Sequence, residues 1–117
     1  MEVKIVKRDS KEFAECNPLE VIVSKEQDAL DIMSNCGAAR SILLYHDNFI
    51  PGFFDLSTGL AGAFMQKFVN YSMRLAVVVD IERIKSQRFK ELILESKRGN
   101  AIRFFETREA AEEWLLK

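Results

Sequence analysis

A polar loop near the middle of the chain holds the residues whose types and spacing best suit chemistry. Asp55, Ser57 and Thr58 lie close together, Gly59 follows, and an apolar segment then begins. Backbone N–H groups at the start of a helix lack partners within the helix, and they bind carboxylates or phosphorylated hydroxyls well. The pattern therefore predicts a recognition or phosphorylation site in the loop 55–59. A simple helix N-cap, a role in which Ser and Thr are common, is the alternative interpretation of the same hydroxyls.

A second hypothesis uses polar residues that follow predicted strands. His46 and Asp80 each come directly after an apolar run, and ligands of α/β proteins bind where parallel strands end. With Asp55 they would form a pocket for a small ligand or an enzyme active site. His46 and Asp47 are neighbours in sequence and such neighbours usually point apart, so a surface-loop pair is the simpler interpretation. A turn or cap residue is likewise the simpler interpretation of Asp80.

The composition argues against several classes of function. The 117 residues carry 17 Lys and Arg against 18 Asp and Glu, so the basic excess typical of nucleic-acid-binding proteins is missing. A single His, two Cys without a C-x-x-C spacing and no glycine-rich phosphate loop predict neither a metal nor another cofactor. No apolar run approaches the ~18 residues that span a bilayer, and the N-terminus lacks a signal-peptide core. We therefore expect one cytoplasmic domain, residues 1–117, that binds neither nucleic acid nor membrane.

Apolar periodicity predicts the elements that position these residues. Strands are predicted at residues 3–7, 19–23, 41–45, 75–79 and 101–105, and residues 11–17 are predicted as a polar turn. Four helices are predicted. The first follows a capping box at residues 24–27, the second follows Thr58, the third lies after the strand that ends at residue 79, and the fourth is capped by Thr107. Helix and strand alternate from residue 24 onward, which indicates right-handed crossovers between parallel strands. The predicted fold class is α/β, a small mixed, mainly parallel sheet of about five strands with four helices.

Three phenylalanines surround the polar loop. Phe49, Phe53 and Phe54 lie in or beside it, and we expect them to pack beneath the loop. An exposed patch that docks a partner, or the interface of a homo-oligomer, is the alternative.

Three segments together resemble a known family. They are residues 53–62 (FFDLSTGLAG), residues 66–71 (QKFVNY) followed by 74–80 (RLAVVVD), and residues 95–99 (ESKRG). In this order and spacing they resemble an uncharacterised bacterial family known as domain of unknown function 4180. The likeness runs from about residue 19 to the C-terminus. It implies membership of a family without an assigned activity.

The loop also bears a more distant likeness. Residues 55–60 (DLSTGL), leading into an apolar helix and then a strand, are similar to the Asp-Ser-Ser-Gly-Leu loop of STAS domains, which include anti-sigma factor antagonists. That resemblance implies a small mixed sheet with helices on one side. It also implies that Thr58, the hydroxyl residue before Gly59, is a phosphorylation switch read by a partner kinase. Leu56 is an extra residue between the aspartate and the hydroxyl pair.

The leading hypothesis is therefore a non-enzymatic binding or regulatory module of STAS type that uses the loop 55–59. A ligand or active site around His46, Asp55 and Asp80 stays open as the alternative.

Overall fold

The computed structural model describes residues 3–117, which form five strands and four α-helices. The strands are β1 (Val3–Arg8), β2 (Lys11–Cys16), β3 (Ser41–Tyr45), β4 (Arg74–Val78) and β5 (Ile102–Phe105). The helices are α1 (Gln27–Ser34), α2 (Leu60–Asn70), α3 (Gln87–Ser96) and α4 (Arg108–Leu115). The α/β class and the alternation of helix and strand after α1 are thus confirmed.

The strands lie side by side in the order in which they occur along the chain. Strands β1 and β2 form an antiparallel hairpin, and its turn contains Asp9 in the left-handed region with φ 56°. The pairs β2–β3, β3–β4 and β4–β5 are all parallel. Helices α1, α2 and α3 connect these parallel strands, and the carboxyl ends of β2 to β5 therefore share one edge of the sheet.

Two predictions near the N-terminus are wrong. Residues 11–17, predicted as a turn, contain strand β2, whose Phe13, Ala14 and Cys16 are fully buried. Residues 19–23, predicted as a strand, form a turn and a single β-bridge from Val23 to Phe49. The carbonyl oxygen of Asn17 accepts hydrogen bonds from the backbone N–H groups of residues 20 and 21, both at 3.1 Å, and this closes the turn.

The sheet is covered on both faces. Ile42 and Leu44 face a core shared with α1, α2 and α3, whereas the alternate residue Leu43 faces a smaller core with α4. Helix α4 is held there by Arg74 of β4, whose guanidinium lies 4.1 Å from the Trp114 ring centre and donates to the Trp114 carbonyl at 2.9 Å. The one-sided helical layer implied by the STAS resemblance therefore does not extend to α4.

Side chains cap two of the four helices, α3 through Ser86 and α4 through Thr107. Thr107 caps α4 as expected, since its hydroxyl accepts from the Ala110 N–H at 3.2 Å. The capping box at residues 24–27 is wrong: α1 begins after Glu26, which makes no side-chain capping bond. Instead the Asp28 carboxylate accepts from the N–H groups of Ser24 and Lys25 at 2.8 and 3.1 Å, closing the loop before α1.

Candidate functional site

The loop 55–59 is a hydrogen-bonded turn that leads directly into α2. The carboxylate of Asp55 accepts from both the backbone N–H and the hydroxyl of Ser57, at 3.0 and 2.7 Å. These bonds favour the charged carboxylate and lower the pKa of Asp55. Asp55, Ser57, Thr58 and Gly59 are all exposed, so the loop presents its polar atoms to solvent.

Thr58 connects the loop to the start of α2. Its hydroxyl group donates to the backbone carbonyls of Gly52 and Asp55, which lie 3.1 and 3.0 Å from Oγ1. Oγ1 of Thr58 also accepts a hydrogen bond of 3.2 Å from the N–H of Leu60, the first residue of α2. Gly59 allows this path because its φ of 78° lies in the left-handed region that favours glycine. The N-cap residue of α2 is Gly59, and Thr58 stands one residue before it, so the Thr58 hydroxyl bonds to the start of the helix without being its N-cap.

Two of the three phenylalanines predicted to pack beneath the loop are buried, whereas Phe54 is half-buried and stacks on His46. Phe53 is fully buried, Phe49 is nearly so, and their ring centres lie 4.0 Å apart. Phe64 of α2 and Phe89 of α3 contact Phe53 at centroid distances of 5.7 and 6.0 Å. The polar loop therefore rests on a packed aromatic base.

His46 and Asp47 bind different residues of the segment that follows β4. His46 accepts a hydrogen bond from the backbone N–H of Asp80 at its Nδ1, 3.1 Å away, and its ring stacks on Phe54 with centres 4.3 Å apart. Asp47 pairs with Arg83 at 2.9 Å. Burial, followed by the positive charge of Arg83, lowers the pKa of His46, which favours the neutral imidazole at pH 7.

His46 lies between two cavities. One, of about 550 Å³, is also lined by Asp55, Phe54 and Arg83. The other, of about 340 Å³, is lined by His46 and Asp80 at the carboxyl ends of β3 and β4. The three residues of the alternative hypothesis are thus divided, because Asp55 lines the first cavity and Asp80 the second. Asp80 also caps a short 3-10 turn, accepting from the Glu82 N–H at 3.1 Å.

A polar network that sequence reasoning missed joins three elements. The Tyr45 hydroxyl at the end of β3 donates to the Glu15 carboxylate of β2. Arg108 at the start of α4 donates its Nε–H to the same carboxylate at 3.0 Å, and this nitrogen lies 3.2 Å from the Tyr45 oxygen. Glu15 is half-buried, and burial acts to raise its pKa. Hydrogen bonds from Arg108 and Tyr45, with the charge of Arg108, outweigh that effect and lower it.

The network also changes the acidity of its neutral and cationic members. Burial, then the hydrogen bond to Glu15 and its charge, raises the pKa of Tyr45 to about 12, and Glu15 raises that of Arg108. Glu15 and Tyr45 line a cavity of about 700 Å³ together with Lys4, Cys16 and Pro18. A signal was present in the sequence, since Glu15 alternates with the buried Ala14 and Cys16. This alternation identifies Glu15 as a strand residue only if residues 11–16 form an inner strand.

No helix within residues 3–117 has both the length and the apolar character needed to cross a membrane. Across the same residues, no three His, Cys, Asp or Glu side chains come together as a metal site would require. No curated protein and no solved structure matches the chain. The family model described as Domain of unknown function (DUF4180) matches residues 8–115, and the chain belongs to that family.

Proposed function

We propose that this protein is a cytoplasmic bacterial binding module of STAS type, without enzymatic activity, which docks a regulatory protein partner through the loop 55–59. The observation that carries the proposal is the position of Thr58. This residue is exposed, yet its hydroxyl connects the Gly52 and Asp55 carbonyls to the first N–H of α2. A change at one accessible oxygen therefore acts on the whole loop.

Phosphorylation of Thr58 is the change that the STAS likeness suggests. A partner kinase would transfer the γ-phosphoryl group of ATP to Thr58 Oγ1, releasing ADP and the hydroxyl proton. The modified oxygen has no proton to donate, so the bonds to the Gly52 and Asp55 carbonyls are lost. The phosphate adds roughly two negative charges. The positive end of the α2 dipole attracts it by ~0.3–1 kcal/mol, and the nearby Asp55 carboxylate repels it. The loop would thus present a different surface to its partner.

The chain offers a matched control for this proposal. Thr107 is also exposed, and its hydroxyl accepts from an N–H in the first turn of α4 as the Thr58 hydroxyl does from the first N–H of α2. Thr58→Ala and Thr107→Ala should each lower the free energy of unfolding by about 1 kcal/mol in urea titrations. Only Thr58→Ala and Ser57→Ala should reduce the recovery of partner proteins by affinity capture from the native host.

The same captured material can be analysed by mass spectrometry for phosphate on Ser57 or Thr58. If both loop variants recover the same partners in the same amounts as the unmodified protein, and only stability falls, the loop is a structural cap and the proposal is wrong.

A small-ligand site around His46 is the second candidate function. It is favoured by the contact of His46 with two neighbouring cavities and by its neutral ring, whose Nδ1 accepts from the Asp80 N–H and whose Nε2–H is left to donate to a ligand. A thermal-shift screen against small polar metabolites separates the two proposals. Binding that is lost in His46→Ala but kept in Thr58→Ala would favour the ligand site.

A further inference from the structure

Strand β5 has a free edge. It is the last strand in the sheet order, so residues 3–117 place no strand on its outer side. The carbonyl oxygens of Ala101 and Phe105 accept from Leu75 and Val79 on the β4 side, each at 2.8 Å. A parallel strand bonds to each neighbour through alternate residues. Ile102 and Phe104 therefore direct their backbone N–H and C=O groups toward the outer edge.

A groove of about 370 Å³ lies between α3 and the carboxyl-terminal half of β5, and Val79 and Ile81 line it beyond the end of β4. It touches both Phe104, which belongs to the core beneath α3, and Phe105, which packs against Trp114 on the opposite face. Phe104 and Phe105, the last two residues of β5, are the strand residues that line it. Its other wall is α3, where Lys90, Ile93, Leu94 and Lys97 follow the i, i+3, i+4, i+7 spacing of one helix face.

The groove combines an apolar wall with positive charge. Leu94 is 63% exposed, so the α3 wall presents an apolar side chain to solvent. Lys90 and Lys97 lie on the α3 wall, and Glu106 is the one acidic residue among the groove's lining residues. Because α3 runs antiparallel to β5 in the crossover from β4, Lys90 is at the Glu106 end and Lys97 at the opposite end. Positive charge is thus concentrated near the start of β5.

We propose that β5 and α3 form a docking groove for an extended acidic peptide of a partner protein, which adds to the sheet as a further strand. Its backbone would pair with the outward groups of Ile102 and Phe104, and alternate apolar side chains would pack against Leu94. A carboxylate of the peptide would pair with Lys97. This inference does not depend on the loop 55–59.

A second copy of the chain fits the groove less well than an acidic partner. Edge-to-edge pairing of two β5 strands would bring four lysines, Lys90 and Lys97 of each copy, and two glutamates, Glu106 of each copy, to one interface, which leaves a net positive charge on both sides. Like charges placed together in an interface are destabilising, and natural sheets use lysines at their edges to prevent such self-pairing.

Selection from a phage-displayed library of random dodecapeptides tests the proposal. The enriched peptides should alternate apolar residues and carry Asp or Glu. In fluorescence anisotropy with a synthetic selected peptide, Leu94→Lys and Lys97→Glu should each weaken binding by about tenfold. Val69→Lys, at a 47% exposed site on α2, is the matched control and should leave the affinity unchanged, as should Thr58→Ala.

N-methylation of the selected peptide tests the backbone pairing. Only every second residue of the bound peptide directs its N–H toward β5. Methyl groups on the amides of those residues should abolish binding, whereas methyl groups on the amides of the residues between them should be tolerated. Tolerance at every position would overturn the proposal, and so would a selection that yields no acidic peptides. Concentration-dependent self-association that Leu94→Lys removes would also overturn it, by showing a second copy in the groove.

Discussion

The titration of Tyr45 gives a quantitative test of the Glu15–Tyr45–Arg108 network. The pKa of Tyr45 is raised from 10.0 to about 12, by burial first and then by the hydrogen bond to Glu15 and its charge, while Arg108 acts in the opposite direction. Glu15→Gln keeps the size of the side chain but removes its charge. We expect the pKa of Tyr45 to fall by about 1, which corresponds to ~1.4 kcal/mol of lost preference for the protonated hydroxyl.

The sign of the pH dependence follows from proton binding. Between pH 10 and about 12 the unfolded chain has released the Tyr45 proton while the folded protein keeps it. The unfolded state therefore binds fewer protons, and the free energy of unfolding decreases as the pH rises through this window. Below pH 10 the contribution of Tyr45 is fully present. Glu15→Gln should make this decrease shallower.

Tyrosinate absorbance measures the titration directly. The sequence has two tyrosines, so a Tyr71→Phe background leaves Tyr45 as the absorbing residue. Circular dichroism at each pH verifies that the protein remains folded. Glu109→Gln, at an exposed position on α4, is the control and should leave the titration unchanged. If Glu15→Gln also leaves it unchanged, Glu15 does not control Tyr45 and the reasoning about the network fails.

Two further predictions concern the loop and its neighbours. Gly59→Ala should lower the free energy of unfolding by about 1 kcal/mol, because a φ of 78° is strained for alanine. Gly62→Ala, within α2 and with open space around the added Cβ, should instead raise it by ~0.5–1 kcal/mol, and equal signs in urea titrations would contradict this reasoning. The lowered pKa of His46 predicts that stability decreases as the pH falls below 6.5, since the unfolded chain then takes up the proton first. His46→Gln should flatten this dependence in urea midpoints measured across that range, and an unchanged slope would assign it to other groups.

The parallel part of the fold was predictable because its strands are strongly apolar. Leu75, Ala76 and Val77 are fully buried, as expected for a strand covered on both faces. Strand β2 is just as central but was missed, because its inward residues include the small Ala14 and Cys16 between charged ones. The apolar run at residues 19–23 was wrongly predicted as a strand, because Val21 and Val23 are buried in the core without belonging to a strand of the sheet.

The candidate site was predictable only where it is local in sequence. The turn at Asp55, Ser57 and Thr58 uses hydrogen bonds over two or three residues, which sequence patterns describe well. The pairing of Glu15 with Arg108 spans 93 residues and depends on which face α4 covers. Nothing in the local pattern around Arg108 specifies that partner.

The order of the strands has a consequence for assembly. Each parallel strand pairs with the strand that precedes it along the chain, so every pairing beyond the hairpin needs only one intervening helix. Loop closure is correspondingly short-range, and the sheet can extend one strand at a time, as the chain emerges during synthesis, without inserting a strand between two others. Among residues 3–117, β5 is the last strand to pair with the sheet, and its outer edge has no further strand beside it. A peptide bound there would repeat, between two molecules, the step that formed the sheet within one.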